Sequence, residues 1–351
     1  MNERSADIYN RHTSYDLKQM QSLPMDAKIV MTQERIRQWY DHWDGQVCVS
    51  FSGGKDSTVL KHIVDGLYDD VPAVFVNTGL EYPEIQHFVR EVKDGKYECF
   101  NPDVDIIRPE MRFDEVVKKY GYPVISKEVA KTIQYAKMES PWALNILGGV
   151  GKNEKQVEYR KRFAKYRSLI EAPFAISSYC CDVMKKRPLK TIEKLTRRKP
   201  IVATLASESI RRAQAWEKTG CNAYESKAPI SKPMSFWTEQ DILHYIKRYN
   251  VPYCPVYGEI RVKQSPSDTA NSQINMTDYI GAYDKQDTLE TTGCKRTGCM
   301  FCMFGCHLEK EPNRFQRMKL THPKQYAYCM KPVEEGGLGL DAVLNYLKIP
   351  H

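Results

Sequence analysis

Six consecutive residues, Ser52-Gly53-Gly54-Lys55-Asp56-Ser57, combine hydroxyls, a cation and backbone without side chains. Gly53 and Gly54 leave room for an anion to approach the main chain. Ser52, Ser57 and the following Thr58 supply hydroxyl donors, and Lys55 supplies charge. A phosphate-bearing ligand suits such a set, and Asp56 fits among phosphate binders when a magnesium ion accompanies the phosphates. The spacing is not Walker A, since no second glycine stands four residues upstream of a Gly-Lys pair. A second chemical signal is Cys294, Cys299, Cys302 and Cys306, spaced x4, x2 and x3. Short Cys-x-x-Cys turns bring two sulfurs to one side of a chain reversal, which suits tetrahedral Zn2+ or a corner of a [4Fe–4S] cluster. The apolar Met300, Phe301, Met303 and Phe304 would shield such a cluster from water. These four cysteines are the expected ligands, with [4Fe–4S] preferred and Zn2+ as the alternative.

The glycines need a strand before them and a helix after them. Val47-Cys48-Val49-Ser50-Phe51 is a short β-prone run, and Leu60, Ile63, Val64 and Leu67 then recur on one helical face. A helix beginning there aims its free N–H groups and positive dipole end at the anion. An amphipathic helix over residues 26–43 feeds this strand. Further strands are expected at 71–79, 104–109 and 201–205, with a helix at 84–92. Alternation on this scale predicts an α/β fold, a doubly wound, mostly parallel sheet with its ligand at the carboxyl ends of the strands. Residues 1–44 read as an N-terminal helical arm, 45–260 as the nucleotide-binding domain and 261–351 as a cysteine-rich C-terminal appendage. Within the last, 261–292 read as a polar connecting loop with short helices.

The 351 residues suffice for a full core, and 42% apolar with 27% charged residues is ordinary for a soluble globular protein. No apolar run reaches membrane-spanning length and the first residues lack a signal-peptide core, so a cytoplasmic location is expected. There, eleven cysteines point to metal or redox chemistry ahead of structural disulfides. A formal charge of +8 suits a polyanionic partner.

The six-residue loop resembles that of the PP-loop ATP pyrophosphatase superfamily, whose fold is the adenine nucleotide alpha hydrolase type. Within it, Phe75-Val76-Asn77-Thr78-Gly79-Leu80-Glu81, Glu208-Ser209-Ile210-Arg211-Arg212, and residues 233–242 with Tyr253-Cys254-Pro255-Val256-Tyr257 resemble ordered segments of the phosphoadenosine phosphosulfate reductase family. The resemblance implies ATP or a related adenine nucleotide with Mg2+. It places the phosphates on Ser52, Gly53, Gly54, Lys55, Asp56 and Ser57. Asn77, Thr78 and Gly79 would lie beside the ribose or base, and Glu208, Ser209 and Arg212 near the phosphates. Lys55, Asp56 and Arg212 are the candidate catalytic residues; Arg suits phosphate because its fork of donors matches the oxygens. The alternative for Glu208 and Arg212 is a plain surface pair four residues apart. Trp237 and Tyr257 read as core.

Tyr179-Cys180-Cys181-Asp182 resembles the Cys-Cys segment of adenylylsulfate reductases, and by that analogy Cys180, Cys181, Cys299 and Cys302 share a cluster. Arg296-Thr297-Gly298-Cys299-Met300-Phe301-Cys302 resembles DNA phosphorothioation proteins, whose cluster lies in the C-terminal segment. That scheme accommodates Cys294 and Cys306. His307, beside Cys306, is a candidate substitute ligand. The Glu-Cys-Gly-x-His tail of sulfonucleotide reductases has no counterpart here, the chain ending at His351. Adenylylation of an acceptor with pyrophosphate release, for sulfur transfer, is therefore the expected activity. A sulfonucleotide reductase releasing sulfite and a non-catalytic nucleotide-binding module are the alternatives. A basic stretch at 152–167, interleaved with Tyr159, Phe163 and Tyr166, suits RNA or DNA as partner and equally suits a solvated helix. A sulfur donor and a ParB-like protein are the other candidate partners; a membrane is not.

Overall fold

The computed structural model describes residues 12–149, 151, 153–263 and 287–351. Helix α1 (Ser14–Gln21) opens on Thr13, whose side chain accepts from the Asp16 N–H while Asp16 accepts from the Thr13 N–H. Helix α2 (Met25–His42) buries Met25, Lys28, Thr32, Ile36 and Trp39, a stripe at three- and four-residue spacing. It leads to strand β1 (Val47–Ser50), and Gly54 then caps α3 (Lys55–Asp65). Strand β2 (Ala73–Val76), helix α4 (Pro83–Lys93) and strand β3 (Val104–Ile107) continue the alternation. Helix α5 (Phe113–Tyr120), strand β4 (Val124–Ile125) and helices α6 (Lys127–Lys137), α7 (Pro141–Leu147) and α8 (Glu154–Ala164) come next. A π-helical turn at Asp182–Lys186 runs into α9 (Arg187–Thr196). Strand β5 (Lys199–Val202), helix α10 (Ile210–Thr219), strands β6 (Asn222–Ala223) and β7 (Ile230–Ser231) and helix α11 (Glu239–Arg248) follow. Strands β8 (Ile260–Val262), β9 (Leu289–Thr291) and β10 (Met303–Phe304) precede helices α12 (Arg314–Thr321), α13 (Pro323–Met330) and α14 (Leu340–Tyr346).

Six strands form one sheet in the order β3-β2-β1-β5-β7-β6. Strand β1 is parallel to β2 and β5, β5 is parallel to β7, and β6 runs antiparallel to β7. The order reverses at β1, with β2 and β3 to one side and β5 to the other. Ser50 is in register with both Val74 and Val202, so the loops after β1 and β5 leave the sheet at one level. This is the switch point at which open α/β sheets take ligands. The expected α/β class holds, and the strands expected at 47–51, 71–79, 104–109 and 201–205 are present.

Compactness divides the chain differently from composition. One unit gathers Met1–Phe75, Tyr82–Ile106 and Ile192–Thr297; the other gathers Val76–Glu81, Ile107–Thr191 and Gly298–His351. In the first, Val49, Phe51, Leu60, Phe75 and Phe88 belong to the buried core. In the second, β4 and β10 pair in parallel, Val124 with Met303 and Ile125 with Phe304. The stretch 261–292, expected as a loop with short helices, instead carries strands at both ends: Ile260 pairs with Thr291 and Val262 with Leu289. Alternating β-branched residues decide this over the polar composition between them. Residues 264–286 lie outside the described part, as do 1–11 of the expected arm and Val150 and Lys152 of the glycine-rich stretch. Among the described residues no helix is long and apolar enough to cross a membrane.

Helix α3 is buried nearly all round, including Lys61, whose ammonium lies 2.9 Å from Asp65. Asp65 also accepts from the Asn101 N–H at 2.9 Å. Burial nevertheless pushes its carboxyl up to about 6, against the pull of Lys61. A carboxyl that holds its proton longer in the folded than in the unfolded state stabilises the fold at low pH. That contribution is full below the unfolded value of about 4 and is lost as pH rises through about 6. Urea denaturation across this window should therefore show a falling limb that Asp65→Asn removes; an unchanged limb in the variant would assign the slope elsewhere.

Candidate functional site

The turn at residues 52–54 closes on itself. Ser57 Oγ accepts from the Ser52 N–H at 3.1 Å and donates to the Gly54 carbonyl at 2.9 Å; Thr58 Oγ1 donates to the same carbonyl. Gly53 has φ +69°, and a Cβ there would meet Val89 and Ile85 of α4 at 2.8 and 2.9 Å. Its missing side chain thus serves both the turn and the close passage of α4. Gly54 differs: a Cβ there would face Thr297 Oγ1 and Tyr257 OH, both at 3.2 Å.

Lys55 is buried, and its ammonium lies 3.2 Å from Glu239 and 3.5 Å from Asp56 while donating to the Lys295 carbonyl at 3.3 Å. A cavity of about 320 Å³ opens at this point, lined by Lys55, Asp56, Glu208, Glu239 and Arg296 among others. The Oδ1 of Asp56 is sealed from solvent and makes no hydrogen bond of ordinary geometry. Burial pushes the Asp56 carboxyl above the usual carboxylate range, with Lys55 opposing. A buried oxygen of this kind suits Mg2+, which takes one or two carboxylates together with substrate phosphates.

The loop after β5 brings Glu208, Ser209 and Arg212 into the same unit. Ser209 caps α10, its hydroxyl accepting from the Arg212 N–H at 3.3 Å. Arg212 pairs with Glu208, and Arg296 approaches Glu208 at 3.7 Å. Burial, and then Arg296, lower the pKa of Arg212, while Asp56 opposes them. The surface pair weighed for Glu208 and Arg212 therefore forms, and it forms within reach of the charges of the loop. Asn77, Thr78 and Gly79 fall in the other unit. There they build a tight turn: Thr78 donates to Glu81 from both its N–H, at 3.0 Å, and its hydroxyl, at 2.7 Å, and the Gly79 N–H donates to Asn77 Oδ1 at 3.1 Å.

Tyr257, expected only as core, is buried but carries its hydroxyl to the loop. It accepts from the Lys55 N–H at 3.1 Å and shares a hydrogen with Thr297 Oγ1 at 2.6 Å. The Lys55 N–H is one of the donors a phosphate would use at a helix start. Tyr257→Phe frees it while keeping the ring, and one hydrogen bond is worth roughly 0.5–1.5 kcal/mol. Binding of inorganic pyrophosphate, read by calorimetry, should tighten about 3- to 10-fold in this variant. Weaker binding would mean that the hydroxyl itself holds the anion.

The cysteines divide between the units. Cys294 lies in the first, where it interacts electrostatically with Cys254. Cys299, Cys302 and Cys306 lie in the second, together with Cys180 and Cys181. Burial raises the thiols of Cys180, Cys299, Cys302 and Cys306, with Cys299 and Cys306 reaching about 11, and neighbouring cysteines of the same unit add to the rise. Cys306 is buried. The Cys299–Cys302 turn closes through the Cys302 N–H to the Cys299 carbonyl at 3.1 Å, and Arg314 donates to the Cys302 carbonyl at 2.8 Å. Met300, Phe301 and Met303 are buried beside it. Lys185, on the π-helical turn after Cys181, lies 3.9 Å from Glu81. Desolvation disfavours its charge, yet Cys299 and Glu81 hold its pKa above the usual lysine value. Among the described residues no group of three or more His, Cys, Asp or Glu side chains is arranged to hold a metal ion. His307 shares a hydrogen with Tyr166 through Nε2, at 3.2 Å.

The sequence model of the phosphoadenosine phosphosulfate reductase domain matches residues 46–143 and 127–304. The chain is 19% identical to an adenosine 5'-phosphosulfate reductase of Anoxybacillus flavithermus over 70% of its length and 82% of the relative's. It is 21% identical to a phosphoadenosine 5'-phosphosulfate reductase of Alkalilimnicola ehrlichii over 69% and 77%. Among solved structures, a phosphoadenylyl-sulfate reductase of Candida auris, in a phosphate complex, is similar at a TM-score of 0.37 and 14% identity, covering 70% of this chain and 90% of that one. A U34-tRNA thiolase of Methanococcus maripaludis with its [4Fe–4S] cluster is similar at a TM-score of 0.35 and 14% identity, covering 65% and 66%. With the domain match spanning most of the chain, from the strand before the phosphate loop to the Cys299–Cys302 turn, this protein belongs to the phosphoadenosine phosphosulfate reductase family.

Proposed function

We infer that the protein binds ATP with Mg2+ at the loop of residues 52–57 and adenylylates an acceptor, releasing pyrophosphate. Asp56 carries this reading: a buried carboxylate amid phosphate-binding groups calls for a metal ion, and a triphosphate is the adenine nucleotide that most needs one. A nucleophilic oxygen of the acceptor forms a bond to the α-phosphorus. The Pα–O–Pβ bond breaks, and pyrophosphate leaves with the electron pair. Lys55 offsets the charge that builds on the departing oxygens, and Arg212 with Arg296 supplies a second positive wall. Sulfur from a donor can then displace AMP from the acceptor.

The thiols of Cys180, Cys181, Cys299 and Cys302 are the ligands we assign to a [4Fe–4S] cluster. All four belong to one unit, the Cys299–Cys302 turn presents a Cys-x-x-Cys pair, and thiolate is the donor chemistry that such a cluster takes. Bound, it would supply electron transfer or sulfur relay. The set first expected from spacing, Cys294, Cys299, Cys302 and Cys306, is the competing assignment.

The relatives are named as reductases of sulfonucleotides, and this favours a second reading in which sulfite is released from adenylylsulfate or its 3'-phosphorylated form. Anaerobic product analysis separates the two. Purified protein is given ATP, adenylylsulfate and phosphoadenylylsulfate separately, with and without Mg2+ and with and without added RNA or DNA as acceptor. Mg2+-dependent pyrophosphate and AMP from ATP support adenylylation; sulfite with no reaction of ATP overturns it.

A further inference from the structure

The basic stretch and its aromatic residues behave differently from one another once folded. Phe163 is buried and Tyr166 turns to His307, so of the three interleaved aromatics only Tyr159 stays exposed. The open aromatic surface lies instead on the preceding helices. Lys131 and Tyr135 of α6 and Met138, which caps its C-terminus, are exposed at spacings of four and three, which places them on one face. Trp142, in the first turn of α7, is 52% exposed and meets Tyr135 edge to face, with ring centroids 6.2 Å apart. The Lys131 ammonium stands over the Tyr135 ring at 5.8 Å. The opposite faces of both helices are satisfied: Val129, Ala130, Ile133 and Ala136 of α6 and Ala143, Ile146 and Leu147 of α7 are buried. Trp142 contributes no core packing of that kind, although the side chain is the largest in its helix.

The charge around this surface is far from average. Residues 127–167 contain ten Lys or Arg against four Asp or Glu, a net +6 of the chain's +8, in 41 positions. On α8, which packs beside α7, Lys155, Lys161 and Arg162 are exposed. A cationic field around two open aromatic rings matches the needs of unpaired nucleobases on a phosphate backbone. The phosphates meet the lysines, and the base faces stack on the rings. DNA is ordinarily a duplex whose base faces are closed, whereas RNA loops splay their bases outward, so the surface fits RNA.

We propose that the Tyr135–Trp142 surface, with Lys131 and the basic residues of α8, docks single-stranded RNA. The proposal extends the adenylylation reading by naming RNA as the acceptor class, and only that naming rests on it; binding is read without nucleotide or turnover. Failure to bind RNA would leave ATP binding at the phosphate loop standing, and failure of ATP to react would leave a positive RNA-binding result standing.

The probe is a fluorescein-labelled 20-nucleotide oligouridine, titrated with the full-length protein and read by anisotropy at several salt concentrations. Binding is expected, with Trp142→Ala and Tyr135→Ala each weakening it about 5- to 100-fold, the range for losing one stacked base. Trp142→Phe should restore most of the loss, and a dichroism spectrum matching the parent's would show that the alanine variants are folded. Lys131→Ala should lower the salt slope by roughly one. Affinities unchanged in both alanine variants would overturn the proposal. So would equal affinity for duplex RNA, which would reduce the surface to bulk charge, or tighter binding of oligothymidine. Quenching of Trp142 by anionic phosphatidylserine vesicles with no RNA binding would assign the surface to a membrane instead.

Discussion

Replacing Lys55 by alanine should lower Mg2+-dependent pyrophosphate release from ATP by about 10²- to 10³-fold, the usual cost of one preorganised donor at a developing oxyanion. The residue is placed for such an effect. Its ammonium is buried at the cavity, between the carboxylates of Asp56 and Glu239, and its own N–H opens α3. Removal has a second consequence, because Asp56 then loses the cation that opposes its desolvation. A fall in activity could in principle come from that unpaired carboxylate. Folding is read separately: a dichroism spectrum and a urea midpoint matching the parent's would show that Lys55→Ala is folded and that the loss reports the missing cation. We expect that match together with unaltered iron content, since Lys55 and the cysteines assigned to the cluster lie in different units. Full activity in Lys55→Ala would sink the site assignment.

The second large effect concerns iron. Anaerobically purified protein should carry iron and acid-labile sulfide in similar amounts, and Cys181→Ser or Cys302→Ser should remove essentially all of both. Cys294→Ser should retain them, because Cys294 lies in the first unit and interacts with Cys254 there. If spacing alone chose the ligands, the outcome would invert, with Cys294→Ser and Cys306→Ser losing the cluster and Cys181→Ser keeping it. Zinc in place of iron would refute the cluster in either form. Lys185→Ala adds a readout that simple ligand loss lacks: removing a cation whose pKa Cys299 helps to raise should lower the reduction potential of a retained cluster.

Much of the fold could be read from residue order because its signals are local. Two glycines between an apolar run and a helical pattern locate β1, the phosphate turn and α3 without reference to anything distant. The same holds for the strands that follow, each a short β-prone run ended by a polar turn. What escaped such reading depends on contacts far apart in the chain. Tyr257 looked like core because its ring is core; only folding reveals that its hydroxyl meets Lys55, 202 residues away. The pairing of β4 with β10 is equally hidden, two residues against two, with Ile125 at φ +61° where a β-branched residue is rare. The cysteine spacing shows why local density can compete with topology. Four thiols within thirteen residues look like one set, and the unit boundary that falls among them, between Thr297 and Gly298, is a feature spacing alone does not show. The basic stretch at 152–167 displayed its charge openly, but which aromatics would face outward was decided by packing.

The hydroxyl of Tyr257 on the Lys55 N–H has a thermodynamic meaning beyond the single contact. A phosphate ligand that takes the Lys55 N–H must first displace the Tyr257 hydroxyl, so its measured affinity is the intrinsic affinity less the cost of breaking that internal hydrogen bond. Thr297 belongs to the same contact, its hydroxyl 2.6 Å from that of Tyr257 and close against Gly54, so the residue that holds the tyrosine in place also walls the loop the phosphate would enter.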